Sequence, residues 1–139
     1  MHVFLITQYF HPEIGAAASR WGDYVKLLIE KGHKVTVLCE MPNYPYGKLF
    51  DGYKNQWFKK EILSNNLIII RSGVWANNRK SKLKLLGNYL SFAFTGLINS
   101  FKVKNYDLVI ISSPPLFVGI IAIVLKRIKK CLILLDLRD

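Results

Sequence analysis

The stretch that decides the fold is "MHVFLITQYFHPEIGAAASRWGDYVKLLIEKGHKVTVLC", Met1–Cys39. It opens with a short apolar run, Met1–Ile6, of the kind that forms a buried strand. Aromatic and turn residues follow, then Gly15, then small residues that start a helix. Over Ala17–Lys31, Trp21, Val25, Leu28 and Ile29 fall on one face at helical spacing, with Arg20, Lys26 and Glu30 elsewhere. Gly32 stands where a left-handed helix end belongs. "KVTVLC", Lys34–Cys39, is a second strand. Strand, helix and strand with short connections predict parallel pairing and a right-handed crossover.

Outward from this unit the alternation continues. "EMPNYPYGKLFDGY", Glu40–Tyr53, is a long irregular loop punctuated by Pro42, Pro45, Gly47 and Gly52. Loops of that length in a compact domain usually carry function or move. "WFKKEILSNNLIIIRSG" reads as two strands around Asn65–Asn66, with Leu67–Ile70 the more buried. "NNRKSK" is a polar, basic loop, and Leu83–Phe101 a long helix. "YDLVIIS" is a strand, "PLFVGIIAIVLKRIKK" an apolar helix with a basic end, and "CLILLDLRD" a last strand. The pattern predicts an α/β fold, a doubly wound, mostly parallel Rossmann-like sheet with strand order 3-2-1-4-5. On that order Cys39 and Cys131 lie about 14 Å apart, too far for a disulfide. Both read as small buried hydrophobes of a reducing compartment.

With 139 residues and 16.0 kDa the chain is a single domain, residues 1–139. No signal peptide is recognisable at its start. It ends on an apolar strand that a natural domain covers with a helix, so it reads as a piece of something longer. A net charge of +11 calls for an acidic partner: phosphate, anionic lipid or nucleic acid.

In such a sheet, ligands sit beyond the carboxyl ends of the strands, where the strand order switches. Gly15–Ala18 presents helix N-terminal amides to an anion, or makes only a tight strand–helix turn. Neither a dinucleotide glycine fingerprint nor a triphosphate-binding loop is present. In "SSPP", Ser112–Pro115, either serine caps the next helix or bonds a ligand, and proline suits a helix start. His11 is a surface imidazole or a site residue. Arg138 and Asp139 pair with each other or face the cleft. No His, Cys and carboxylate spacing fits a metal.

Leu85–Phe101 and Leu116–Leu125 carry no charge, yet neither is a convincing membrane span. They read as helices packed on the sheet. Arg79, Lys80, Lys82, Lys84, Lys102 and Lys104 flank the first; Lys126, Arg127, Lys129 and Lys130 follow the second. Apolar and aromatic faces edged with basic residues suit an anionic bilayer surface better than nucleic acid.

"TQYFHPEIGAAASR", "KGHKVTVLCEMPNYPYGKLFDGY", "NYLSFAF", "SSPPLFVG" and the terminal "LRD", in that order, resemble the amino-terminal half of family 4 glycosyltransferases, in the bacterial capsule and O-antigen group that includes fucosaminyl transferases. The resemblance implies half of a GT-B architecture: an acceptor-side Rossmann-like domain whose donor-binding carboxyl-terminal domain is absent from this chain. It implies a retaining, metal-free and cofactor-free transfer from a nucleotide-diphosphate sugar to a polyprenyl-diphosphate-linked or other saccharide acceptor. The implied location is cytoplasmic, peripheral on the inner face of the cell membrane. Gly15 and Ala16, with Ala17 and Arg20, match the donor-diphosphate side. Asn43, Tyr44 and Pro45, with His11, Ser113 and Pro114, match the acceptor side. Arg138 and Asp139 fall where catalytic residues are expected. A fragment of this kind is expected to be inactive alone and open to self-association through uncovered apolar surface. The rival from another class is a non-catalytic basic membrane-surface module.

Overall fold

The computed structural model describes residues 1–138; Asp139, one of the expected catalytic pair, lies outside them. β1 (His2–Ile6), α1 (Ala16–Glu30), β2 (Lys34–Glu40), β3 (Phe58–Ser64) and β4 (Leu67–Ser72) form the first part. α2 (Lys82–Ser100), β5 (Leu108–Ser113), α3 (Val118–Lys129) and β6 (Leu132–Leu137) complete it. The six strands form one sheet in the order β3-β4-β2-β1-β5-β6. β4-β2-β1-β5-β6 are parallel and reproduce the expected 3-2-1-4-5 order. β3 adds an antiparallel edge through the turn at Asn65–Asn66.

The alternation of apolar side chains along each strand fills both faces of the sheet. Phe4, Ile6, Leu38, Ile70, Val109 and Ile111 face α2 and α3, where Phe92, Val118, Ile121 and Leu125 meet them. Leu5, Val35, Val37, Cys39 and Ile69 face Trp21 and Val25 of α1. β4 is buried and β3 largely exposed, as the composition of the two runs requires. α1 ends as expected: Gly32 takes φ +85°, its N–H bonds the Ile29 carbonyl, and the His33 N–H bonds that of Leu28. Both cysteines are free.

One expected local feature is corrected. Neither Ser112 nor Ser113 caps α3. Both belong to β5, pairing with Asp136 and Leu137, and the helix begins only at Val118 with no side-chain cap. The ladder runs on until Pro114, which has no N–H to offer it. The prolines thus end a strand and turn the chain rather than open the helix.

Candidate functional site

The parallel strands deliver four connections to one edge of the sheet, on either side of the switch at β1. At that edge the ends of β1 and β2 place Gln8 and Glu40 side by side. Gln8 Nε2 donates to Glu40 Oε2 at 2.7 Å and to Asn88 Oδ1 of α2 at 2.8 Å. Asn43 Nδ2 donates to Glu40 Oε1 at 2.8 Å. Glu13, from the β1–α1 loop, accepts the backbone N–H groups of Asn43 (2.9 Å), Tyr44 (3.0 Å) and Phe10 (3.2 Å). Arg79 reaches in from the β4–α2 loop: its Nη2 donates to Asn43 Oδ1 at 2.8 Å and lies 3.6 Å from Glu40 Oε1.

Gln8, Glu13, Glu40, Asn43 and Asn88 are all buried. Two carboxyl groups in so dry a place cannot both ionise cheaply beside one guanidinium. Burial, and then the charge of Glu13, push the Glu40 carboxyl well above the usual range. Burial also raises Glu13, while hydrogen bonds from Asn43 and Tyr44, followed by that from Glu40, oppose the shift. Of the two, Glu40 is the one held further toward its neutral form. The cluster has no open face for a ligand. It fastens the Glu40–Tyr53 loop and the Arg79 loop to the sheet, and so positions what lies above.

Above it lies a cavity of about 280 Å³ lined by Tyr9, Tyr44 and Tyr89 and by Ile14–Ala18. The Arg79 guanidinium sits 5.2 Å from the Tyr44 ring centre and 6.0 Å from that of Tyr9, which are 5.0 Å apart. Burial keeps the Tyr9 phenol protonated. Gly15 is the α1 N-cap and supplies no side-chain acceptor, and the first turn carries no acidic residue. Among the described residues nothing bonds the N–H groups of Ala16–Ala18. The positive end of the helix dipole thus opens on the cavity uncompensated. The Tyr44 ring covers Gly15 so closely that a Cβ there would come 3.1 Å from Tyr44 Cε1.

The expected site residues divide. Gly15, Ala16, Ala17 and Tyr44 line this cavity together. Asn43 is fully buried beneath it, with its amide already bonded within the protein. His11 lines a different, apolar cavity of about 440 Å³ between α1 and β4, with its ring against Gly22. Arg20 Nη2 bonds Asp136 on β6 at 3.0 Å, and Arg138 Nε bonds the same carboxylate at 3.1 Å. Ser113 is buried at the end of β5, with Pro114 exposed beyond it. None of these last four lines the tyrosine cavity. Glu13, Glu40, Gln8, Asn88 and Arg79 went unnoticed in the sequence. A carboxylate ending the apolar run of β2 is a signal that was there to be used. Arg79 looked like one of many surface cations.

Among the described residues no group of His, Cys, Asp and Glu is placed to hold a metal ion. Compared with protein-family models and with curated proteins, the chain gives no match.

Proposed function

We propose that this chain is the acceptor-side half of a retaining glycosyltransferase similar to family 4, moving a sugar from a nucleotide-diphosphate donor to a lipid-linked acceptor of surface polysaccharide. The observation that carries the reading is the cavity at the carboxyl edge of the sheet, where the free amides of Ala16–Ala18 meet three tyrosine rings. The amides and the helix dipole would take up charge on the leaving diphosphate as it develops. Tyrosine faces suit the C–H faces of a pyranose, and their hydroxyls its hydroxyls. A 280 Å³ space is of the size that takes one sugar ring. Most of the donor nucleotide would be held by a second domain, so this chain alone should not turn over. Its place would be peripheral, on the inner face of the membrane.

The test is an NMR titration with inorganic pyrophosphate and, separately, with a nucleoside diphosphate. The expected result is that the amide signals of Gly15–Ala18 move first and saturate in the millimolar range. Shifts confined to other residues, or none, would sink the diphosphate role and leave the non-catalytic membrane-surface module. Robust sugar transfer by the chain alone would refute the division of labour.

A further inference from the structure

Helix α2 is apolar on two sides. Its sheet-facing side buries Phe92 and Ala93 together with the polar Asn88, Thr95, Asn99 and Ser100. Their partners are within the protein: Asn88 Nδ2 donates to the Trp75 carbonyl, Thr95 Oγ1 to that of Gly73, and Asn99 Nδ2 to that of Trp57 and to Ser72 Oγ. Its outward side carries Leu83, Leu86, Leu90, Phe94 and Ile98, continued by Phe101 just past the helix, all between 37% and 79% exposed. At 100° per residue these fall within an arc of about 120°. A surface helix normally turns such a stripe toward the core and its polar residues outward.

We propose that this outer face of α2, with the tryptophans beside it, is an interfacial surface that lies on an anionic bilayer. Trp57 and Trp75 are both about half exposed. The Trp57 ring stands edge-on to Phe94, with centres 5.9 Å apart, and the Trp75 ring rests on Gly87 of α2. Tryptophan, with an apolar body and one N–H, is the residue that settles at headgroup depth. α3 packs beside α2 on the same side of the sheet and leaves Ile120 and Ile123 exposed. No helix among the described residues is long and apolar enough to cross a membrane, so this face lies on the bilayer rather than through it.

Charge selects the occupant. From Arg79 to Lys130 the chain has ten Lys and Arg and one acidic residue, Asp107. Asp107 is itself engaged, accepting the His2 N–H at 2.7 Å. Lys80, Lys82 and Lys84 stand at one end of the stripe and Lys102 and Lys104 at the other. A second copy of the chain would bring the same cations to the same face, whereas anionic headgroups neutralise them. Tyr89, which lines the tyrosine cavity, immediately precedes Leu90 of the stripe. The helix that carries the stripe thus also supplies one wall of the cavity, where a lipid-linked acceptor would arrive. That last step rests on the glycosyl-transfer reading; the membrane contact does not.

The experiment is co-sedimentation of the chain with vesicles of equal parts phosphatidylglycerol and phosphatidylcholine, against phosphatidylcholine alone, with no sugar donor present. Binding to the mixed vesicles only, weakened by added salt and accompanied by a blue shift of tryptophan emission, is expected. Phe94→Glu and Leu90→Glu should each lower the affinity ~10-fold or more, with unchanged far-ultraviolet circular dichroism. Leu27→Glu, on the exposed side of α1 across the sheet, should leave it unchanged. Lys82→Glu with Lys84→Glu removes charge without touching the stripe and should also weaken binding. The proposal falls if the mixed vesicles fail to bind the chain, if folded Phe94→Glu binds as well as the parent, or if Leu27→Glu loses as much. It falls equally if sedimentation velocity shows a dimer that Phe94→Glu dissolves.

Discussion

At the scale of single residues, the buried polar groups set the behaviour of the molecule. Glu40 and Glu13 both have folded-state pKa values raised above the unfolded value of about 4.3. A raised carboxyl holds its proton in the folded state after the unfolded chain has lost it. The stability this proton confers is complete below the unfolded pKa and is lost as pH rises through the folded one. Chemical denaturation from pH 4.5 to 8 should therefore show stability falling with pH. The slope for one proton is at most about 1.4 kcal/mol per pH unit. Glu40→Gln, which keeps the shape of the protonated acid, should flatten that slope. A slope unchanged in the variant would place the proton elsewhere. Arg71 is the other buried charge, donating through Nε to Glu61 and through Nη2 to the His11 carbonyl. Arg71→Met leaves the His11 carbonyl without its donor and Glu61 with Lys59 alone, 3.3 Å away. It should cost about 1–3 kcal/mol, read as a fall in the denaturation midpoint at constant m.

At the scale of elements, ends and loops decide more than interiors. α2 starts at Ser81, whose Oγ accepts the Lys84 N–H at 3.2 Å. Ser81→Ala removes one of the few satisfied first-turn amides and should lower stability by about 1 kcal/mol, measured in urea. The Glu40–Tyr53 loop depends on Gly47, which holds φ +71° with the Asn77 backbone pressed against the place of its missing Cβ. Gly47→Ala meets both a left-handed backbone and a backbone neighbour that cannot swing aside. A loss of about 2 kcal/mol or more is expected, together with shifted amide signals at Asn43 and Tyr44. A neutral result would show that the two loops move independently.

For the molecule as a whole, the distribution of apolar surface is the main finding. On the α1 side, Arg20 crosses to Asp136, but Leu132 and Leu134 of the edge strand β6 lie open. An apolar edge strand invites pairing with another chain. Sedimentation velocity should show reversible self-association at high protein concentration, and Leu134→Lys should return the chain to monomer with little change in melting temperature. Retained self-association in that variant would place the contact elsewhere.

What the sequence determined alone is whatever depends on neighbours a few positions apart. The strand–helix–strand run of Met1–Cys39, the left-handed end at Gly32 and the paired strands around Asn65–Asn66 rest on local periodicity and turn chemistry; the strand order followed from the fold class that this alternation implies. Gly15–Ala17 and Tyr44 were legible as a corner for the same reason, because a glycine before a helix and a proline-rich loop announce themselves within a short window. The cluster beneath them was not, because Gln8, Glu13, Glu40, Asn43, Arg79 and Asn88 meet only when four separate segments converge at one edge of the sheet. Nor was the orientation of α2. Periodicity reports that a helix has apolar and polar sides, but packing against β2 and β4 fixes which side is covered. Here partners for Asn88, Thr95 and Asn99 within the protein let these polar residues sit beside Phe92 on the covered side and left Leu90 and Phe94 outside.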